Sequence, residues 1–377
     1  MIRTPSVRFV RGLAEVGAAD VARVGGKAAA LGELTRARIG VPRGYVVTAA
    51  AFEEFMAALD PSGAIRGEVG ALAADDLAAI TRSAAGLRAR ITAAPPPPGL
   101  AAEITAAYQG LDPTAIAVAV RSSATMEDSP EASFAGLQDT YLAVRGAEAV
   151  LDRVRSCWAS MYNDESVSYR RRQGLDEGGL AMGVVVQRMV SPRAAGVMFT
   201  RSPVTGDRSV VAIEGTWGLG SALVGGEVTP DSFMVSKVTG EITGRRVSAK
   251  LRAHCFAPNG PGIIAQPMPT ALRRSPCLTD DEARALARVG RQVEEHYGVP
   301  QDIEWALLGD SPSCPALHAD AADRIVLLQS RPETVWAARD RAPIATPKPH
   351  ASDHVLARFR KALSWICRMS MSPTYSR

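Results

Sequence analysis

The sequence predicts an α+β protein with two lobes, residues 1–190 and 191–338, and a linker-like tail over residues 339–377. The first third alternates helical patterns with short apolar segments, which favours an α/β unit. After residue 180 the pattern changes to closely spaced strand-like segments, which favours a second lobe built mainly from a sheet. One strong helical pattern, at residues 279–297, interrupts those strands.

The elements of the first lobe follow from local patterns. Residues 25–59 predict, in order, a loop, a helix, a turn, a strand and a helix. Four prolines at residues 95–98 cannot continue a helix and therefore mark a loop within the domain. Apolar residues at helical spacing predict one long amphipathic helix over residues 147–171. The arginine triplet at residues 170–172 is expected at the solvated end of a helix.

Strands after residue 180 are predicted from segments rich in β-branched and other apolar residues: "MGVVVQRMV", "AAGVMFT", "SVVAIEGTW", "DSFMVSK" and "RIVLLQSRP". The helix at residues 279–297 has both of its ends marked in the sequence. Thr279 and Glu282 form a T-x-x-E capping box, and Gly298 supplies the stop.

Composition limits the classes of function. The 377 residues are 46% apolar and 22% charged, as in an ordinary globular protein. No apolar run approaches the ~20 residues of a membrane helix, and the N-terminus lacks a secretory signal, so we expect a cytoplasmic protein without a membrane partner. Five scattered cysteines suggest neither a disulfide framework nor a zinc site. The formal charge of +4 is spread along the chain, so no nucleic-acid partner is expected.

The stretch "VGGKAAALGEL", residues 24–34, places two glycines and Lys27 at a predicted helix start. Free backbone N–H groups and the helix dipole favour an anion there, and phosphate is the natural ligand. The stretch is not a Walker A loop, because Val21 occupies the first glycine position and Ala28 replaces the metal-binding Ser or Thr. A glycine turn with a surface lysine is the alternative interpretation.

The stretch "VRSSATMEDSPEASFAGLQDTYL", residues 120–142, carries many small polar groups between two strand-like ends. Arg121 and the hydroxyls that follow it are expected to face a polyanion, because a guanidinium binds phosphate oxygens as a fork. Gly136 would allow close approach of the backbone, and Thr140 would add a hydroxyl contact. An ordinary polar loop is the alternative.

Three polar residues lie within apolar, strand-like segments near the end of the second lobe: Glu304, Gln329 and Arg331. Polar groups in such positions usually have a partner. A carboxylate and an amide oxygen can share a magnesium ion that bridges nucleotide phosphates, while the arginine neutralises phosphate charge. The alternative is a buried ion pair between Glu304 and Arg331.

Seven segments in order carry a resemblance to a known family: "GGKAAALGEL", "VPRGYVVT", "VRSSATMEDSPEASFAGLQDTYL", "VQRMVSPRAAGVMFT", "WGLGSALVGGEVTPDSFMV", "DIEWAL" and "LLQSRPET". Over residues 10–338 the chain resembles the nucleotide-binding part of phosphoenolpyruvate synthase and pyruvate phosphate dikinase. The same module resembles that of rifampicin phosphotransferases and of the small subunit of phenylphosphate synthase. The resemblance implies an ATP-grasp-like two-lobed fold that holds ATP and Mg²⁺ between the lobes.

The resemblance also implies site residues and a reaction. It assigns Lys27, Arg121 and Arg331 to the phosphates, with Arg121 and Arg331 as the catalytic pair, and it assigns Gly136 and Thr140 to the loop that covers the phosphates. In the family, the β-phosphate of ATP goes to a histidine on a mobile domain and AMP is left.

The remaining assignments concern the base and the metal. The resemblance places Gln187 on the adenine side of the hinge and makes Glu304 and Gln329 ligands of the metal and the nucleotide. The chain departs from the family pattern in an insertion over residues 308–324 and in the lack of a "GGxTSHAA"-like segment.

Three functions stay open from the sequence. The chain is expected to be the ATP-binding subunit of a dikinase-type phosphotransferase, with a phosphohistidine domain supplied in trans and a small-molecule acceptor on that partner. The alternatives are a truncated phosphoenolpyruvate-synthase-like or rifampicin-phosphotransferase-like protein, which binds nucleotide without completing a reaction, and a non-catalytic ATP sensor.

Overall fold

The structure is a computed structural model, and it describes residues 8–111, 116–125, 128–129, 132–133, 139–175, 177, 180–257, 260–309 and 324–337. The described residues from Arg8 to Glu333 form one compact unit, and those from Thr334 onward belong to a second. The first unit contains both helices packed on sheets and a strand-rich part, so the chain is an α+β protein, as predicted.

The elements have the following bounds. The α-helices are Val21–Val24 (α1), Gly26–Arg36 (α2), Ala49–Leu59 (α3), Ala64–Ala71 (α4), Leu77–Ala93 (α5), Pro98–Leu111 (α6), Ala147–Ser160 (α7), Asp164–Gln173 (α8), Ser221–Val224 (α9), Thr270–Arg273 (α10) and Asp280–Tyr297 (α11). The strands are Val10–Gly12 (β1), Gly44–Val47 (β2), Val118–Ala124 (β3), Asp128–Ser129 (β4), Ala132–Ser133 (β5), Thr140–Val144 (β6), Met182–Arg188 (β7), Pro192–Phe199 (β8), Val210–Trp217 (β9), Asp231–Ser236 (β10), Ile242–Arg246 (β11), Arg252–Phe256 (β12), Ile263–Pro267 (β13), Gln301–Leu308 (β14) and Ile325–Pro332 (β15).

The first sheet is antiparallel, with the strand order β1-β2-β7-β3-β6. Its side chains alternate between two cores, because successive residues of a strand point to opposite faces. On β7, Val184 and Val186 belong to the core formed with α3, α5, α6 and α7, whereas Val185 packs with α1 and α2. In the larger core, the fully buried Trp158 ring lies 5.0 Å from the Phe55 ring. Burial of each such aromatic side chain contributes roughly 1.5–3 kcal/mol to the free energy of unfolding.

The second sheet has the order β11-β10-β9-β8-β14-β15, and all of its pairs are antiparallel. The amphipathic α11 helix packs on it, with the fully buried Trp305 of β14 in their shared core. The five strand segments predicted after residue 180 and the capping box of Thr279 and Glu282 are confirmed. The predicted lobe boundary at residue 190 falls between β7 of the first sheet and β8 of the second, although the division into lobes stays a prediction.

The prediction of one long helix over residues 147–171 is wrong. The chain forms α7 and α8 instead, because Asn163 takes an extended backbone conformation at the start of α8 and interrupts the helical path. Two acidic residues in the first turn of α8 favour a new helix start at this point. The arginine triplet does lie at a helix end, but Arg170 is not solvated: it is 2% exposed and forms an ion pair with Glu177.

Membrane insertion has no support from the helices. In the part of the chain that the structure describes, none combines the length and the apolar character that crossing a bilayer requires.

A buried ion pair joins the strand-rich part of the unit. Lys250 Nζ lies 2.5 Å from Asp231 Oδ1, and both side chains are fully buried. The carboxylate also accepts hydrogen bonds from the backbone N–H groups of Ser248 and Cys277. Asp231 therefore connects β10 to the segments that precede β12 and α11, and each of its oxygens has a partner.

We predict that Asp231→Asn lowers the free energy of unfolding by about 3–5 kcal/mol, because it leaves the Lys250 ammonium buried without a counter-charge. Denaturant unfolding measures the change. Asp281→Asn is the matched control, because its ion pair with Arg284 is exposed and is worth at most about 1 kcal/mol. Adding Lys250→Met to Asp231→Asn should recover part of the loss. If Asp231→Asn and Asp281→Asn lowered the free energy of unfolding by the same amount, the buried ion pair would not have this stabilising role.

Candidate functional site

Four of the predicted site residues line one cavity of ≈ 300 Å³ between the two sheets: Arg121, Thr140, Gln187 and Glu304. The register of the sheets brings them together. Arg121 of β3 lies opposite Thr140 of β6, and Gln187 lies on the neighbouring β7. Glu304 enters from β14 of the second sheet. Residues far apart in the sequence thus share one site.

Arg121 connects the two sheets. Its strand is buried along its whole length, and the residue is 8% exposed. Its Nη1 donates a hydrogen bond to the Leu328 backbone oxygen at 2.8 Å, and its Nη2 donates to Glu304 Oε2 at 2.9 Å and to Gln329 Oε1 at 2.6 Å. Its buried Nε has no hydrogen-bond partner within the described residues. The guanidinium is therefore held in one orientation by acceptors of the other sheet.

The alternative ion pair between Glu304 and Arg331 is wrong. Glu304 pairs with Arg121, because the antiparallel register places Gln329 opposite Glu304 and Arg331 opposite Asp302. Arg331 Nε lies 3.4 Å from Asp302 Oδ2 with its side chain 45% exposed, and it does not line the cavity.

Asp302 is a second carboxylate beside the cavity that the sequence did not single out. It lies two residues before Glu304 on β14 and therefore on the same face of the strand. Its Oδ1 is buried and has no hydrogen-bond partner in the ranges that the structure covers. Burial raises the pKa of Asp302, although Arg331 acts in the opposite direction. The D-x-E spacing in "QDIEW" was the available signal. A partly buried carboxylate with an unused oxygen suits a cation.

Lys27 lies beside β3 without lining the cavity. Gly25, with φ of +81°, starts the turn before α2, and a Cβ there would lie 1.9 Å from the Ser123 backbone oxygen. This close contact lets the Ser123 hydroxyl accept from the Ala28 backbone N–H at 3.0 Å and lets Lys27 Nζ donate to the Ser122 oxygen at 2.6 Å. The helix start is therefore packed against the strand that carries the cavity arginine. Phosphate binding by Lys27 stays a prediction.

Gly136 and Gln187 are the two remaining residues that were predicted to bind the nucleotide. Gly136 lies outside the residues that the structure describes. Gln187 is 2% exposed, and its Nε2 donates to the Pro42 backbone oxygen at 3.3 Å. Its side chain is thus oriented by the segment that precedes β2.

The cavity has a charged end and an apolar end. Arg121 and Glu304 form the charged end. Around the connection between the sheets, called the apolar end, the lining consists of Met189, Val190 and Pro192 together with Arg188. A cavity with a few polar groups on an apolar lining is typical of a small-molecule site. Its chemistry suits a ligand with a flat apolar part and an anionic part.

The charged end fits a magnesium ion that is bound together with a ligand. Among the described residues, no group of three or more His, Cys, Asp or Glu could hold a metal by itself. Magnesium, however, is usually bound through one or two carboxylates, waters and substrate phosphates. Asp302 and Glu304 supply two carboxylates on one strand face, and Gln329 lies opposite Glu304.

Comparison with known proteins gives a consistent family. Residues 21–352 match the AMP/ATP-binding domain family of pyruvate phosphate dikinase. A rifampicin phosphotransferase of Streptomyces sp is 47% identical over 306 residues, which cover 81% of this chain and 35% of that protein.

Two archaeal relatives are named probable phosphoenolpyruvate synthase. The protein of Methanothermobacter thermautotrophicus is 41% identical over 87% of this chain and 46% of its own length, and that of Staphylothermus marinus is 37% identical over 97% and 46%. The chain spans less than half the length of these relatives.

Proposed function

Because this chain belongs to the AMP/ATP-binding domain family of pyruvate phosphate dikinase, we propose that it binds magnesium–ATP between its two sheets. The nucleotide lies in an ATP-grasp-like manner, and its β-phosphate is activated for transfer to a histidine. The observation that carries the proposal is the Arg121 guanidinium, fixed at the charged end of an otherwise mostly apolar cavity.

The orientation of the nucleotide follows from the two ends of the cavity. The adenine lies at the apolar end, near Gln187, Met189 and Val190. The phosphates lie at the Arg121 end, where charge-assisted hydrogen bonds to a guanidinium are the stronger kind. Lys27 and Arg331, which lie beside this end, complete the positive charge around the phosphates.

Arg121 exchanges partners when the nucleotide binds. Phosphate oxygens compete with Glu304 and Gln329 for the guanidinium, and the exchange frees the carboxylate and amide oxygens. Glu304, Gln329 and Asp302 are then available to hold Mg²⁺, which neutralises charge on the phosphates. In this proposal Arg121 and Arg331 orient the phosphates, and no group of the chain forms a covalent bond.

We predict that Glu304→Gln weakens ATP binding about tenfold in the presence of magnesium, and by less in its absence, because an amide is a poorer ligand for a hard cation. Calorimetry with and without magnesium measures both values. Glu241→Gln is the control, since it makes the same charge change on an exposed turn. If Glu304 served only its ion pair with Arg121, the substitution would lower thermal stability and leave the magnesium dependence of binding unchanged.

The phosphoryl acceptor is a histidine of another domain or chain. The two histidines in the described part of this chain are engaged elsewhere: His254 hydrogen-bonds Ser221 and Glu227, and His296 pairs with Glu33. Neither lies in a glycine-rich loop at a helix start, which would present an imidazole and hold its phosphate. The final acceptor is then a small molecule bound outside this chain.

The identity of that small molecule has two candidates. Pyruvate would be the acceptor in a phosphoenolpyruvate-synthase-like system. Rifampicin is the second candidate, because a rifampicin phosphotransferase is 47% identical to this chain over 81% of its length.

We predict that the purified chain, incubated with magnesium and ATP labelled at the β-phosphate, transfers label to a separately purified phosphohistidine domain and forms AMP only when that domain is present. The label should be acid-labile, as phosphohistidine is. Omitting magnesium should abolish the transfer. A labelled adduct on this chain alone, with AMP release, would contradict the need for a histidine in trans.

A further inference from the structure

A hydrogen-bonded chain of three side chains lies against the cavity. Ser221 Oγ is 2.9 Å from His254 Nδ1, and His254 Nε2 is 3.2 Å from Glu227 Oε2. Ser221 lines the cavity, His254 is 8% exposed, and the Glu227 side chain is 49% exposed. None of the three residues has a role predicted from the sequence.

When the His254 ring is neutral, the chemistry of the three groups fixes the direction of the hydrogen bonds. A carboxylate only accepts hydrogen bonds, so His254 Nε2 carries a hydrogen and donates it to Glu227. The Nδ1 of a neutral imidazole is then an acceptor, and it takes the hydroxyl hydrogen of Ser221. The Ser221 oxygen is left with lone pairs for the cavity. It is therefore an oriented acceptor for a ligand hydroxyl.

A separate ribbon brings His254 to this position. Strand β12, which carries His254, forms a two-stranded ribbon with β13. The ribbon is joined to the segment before Ser221, where the Leu219 N–H donates to the His254 backbone oxygen at 2.9 Å. Gly218, with φ of +71°, makes this contact close, because a Cβ there would lie 2.5 Å from the same oxygen.

The pairing of β14 with β8 shows how far each residue pair lies from Glu304 along the cavity. Glu304 of β14 pairs with Val197 of β8, and Ala306 pairs with Ala195. Because a strand rises ~3.3 Å per residue, the Ala306 and Ala195 pair lies roughly 7 Å from the charged end. The apolar end begins further along, at residues 189–190 before β8.

Ser221 lies between the two ends. Its neighbour Gly220 approaches β8 so closely that a Cβ at Gly220 would be 3.6 Å from the Cβ of Ala195. Ser221 is therefore at the level of Ala195, beyond the charged end and before the apolar end. In a nucleotide with its phosphates at the first end and its base at the second, the sugar occupies this middle position.

We propose that Ser221, oriented by His254 and Glu227, accepts a hydrogen bond from a ribose hydroxyl and so selects ribonucleotides over deoxyribonucleotides. Ser221 contacts the sugar, and His254 is a positioning residue that acts through it. This inference rests on the proposed function, because it uses the orientation of ATP in the same cavity.

The test compares the binding of ATP, 2′-deoxy-ATP and 3′-deoxy-ATP to the full chain by calorimetry with magnesium. The unmodified protein should bind at least one deoxy analogue on the order of fivefold more weakly than ATP, the worth of one hydrogen bond. In Ser221→Ala the ratio should fall to about one. A ratio measured within one variant does not depend on small differences in stability.

Two substitutions of the histidine separate positioning from packing. His254→Asn places an amide near the position of Nδ1 and keeps a partner for Ser221, so discrimination should be retained. His254→Gln places its amide near Nε2, so contact with Ser221 and discrimination should be lost. A purely structural histidine would affect all three nucleotides equally in both variants.

The outcomes distinguish this inference from the function on which it rests. ATP binding without discrimination, or discrimination that survives in Ser221→Ala, overturns the inference and leaves the nucleotide site in place. Failure of all three nucleotides to bind overturns both.

Discussion

The geometry of the site depends on the hydrogen bonds of one buried guanidinium. Arg121 belongs to an interior strand of the first sheet, yet its partners, Leu328, Glu304 and Gln329, belong to the second. A buried charge needs such partners, because water does not solvate it. These bonds hold the two sheets together and place the guanidinium at the cavity. In the proposed function, the bond from Nη1 to the Leu328 backbone oxygen keeps the guanidinium in place while phosphate oxygens replace Glu304 and Gln329 as partners of Nη2.

The rest of the unit keeps that arginine in place. The strand of Arg121 is packed on both faces, and the Ser123 hydroxyl two residues later joins it to the start of α2. Gly25 permits this contact because any side chain there would meet the strand backbone. On the other side, the register of β14 and β15 places the acidic residues opposite the polar residues of β15. Packing and register thus determine which groups meet in the cavity.

Local patterns predicted most of the fold because they depend on neighbouring residues. The strands after residue 180 and the capped helix at 279–297 came from periodicity and capping residues alone. The break at Asn163 was missed although the sequence carried a signal for it: Asn163 followed by the acidic Asp164 and Glu165 is typical of a helix start. The buried position of Arg170 was missed for another reason: its partner Glu177 follows the helix.

The sequence named four residues that line one cavity, but it did not reveal the contacts that they make. Arg121, Thr140, Gln187 and Glu304 do share a cavity. The alternative ion pair between Glu304 and Arg331 was wrong, because the register of β14 and β15 places Arg331 opposite Asp302, and local sequence patterns did not reveal that register. The hydrogen bonds that link Ser221, His254 and Glu227 could not be predicted from local sequence patterns, because His254 lies 33 residues after Ser221 and reaches it through the β12–β13 ribbon.

The most direct test of the account is a structure of this chain with magnesium and a non-hydrolysable ATP analogue. The account predicts phosphate oxygens on the Arg121 guanidinium, Glu304 turned from the arginine to the metal, and the adenine near Gln187 at the apolar end. A nucleotide bound outside this cavity, or phosphates directed away from an Arg121 that keeps its bonds to Glu304 and Gln329, would contradict it.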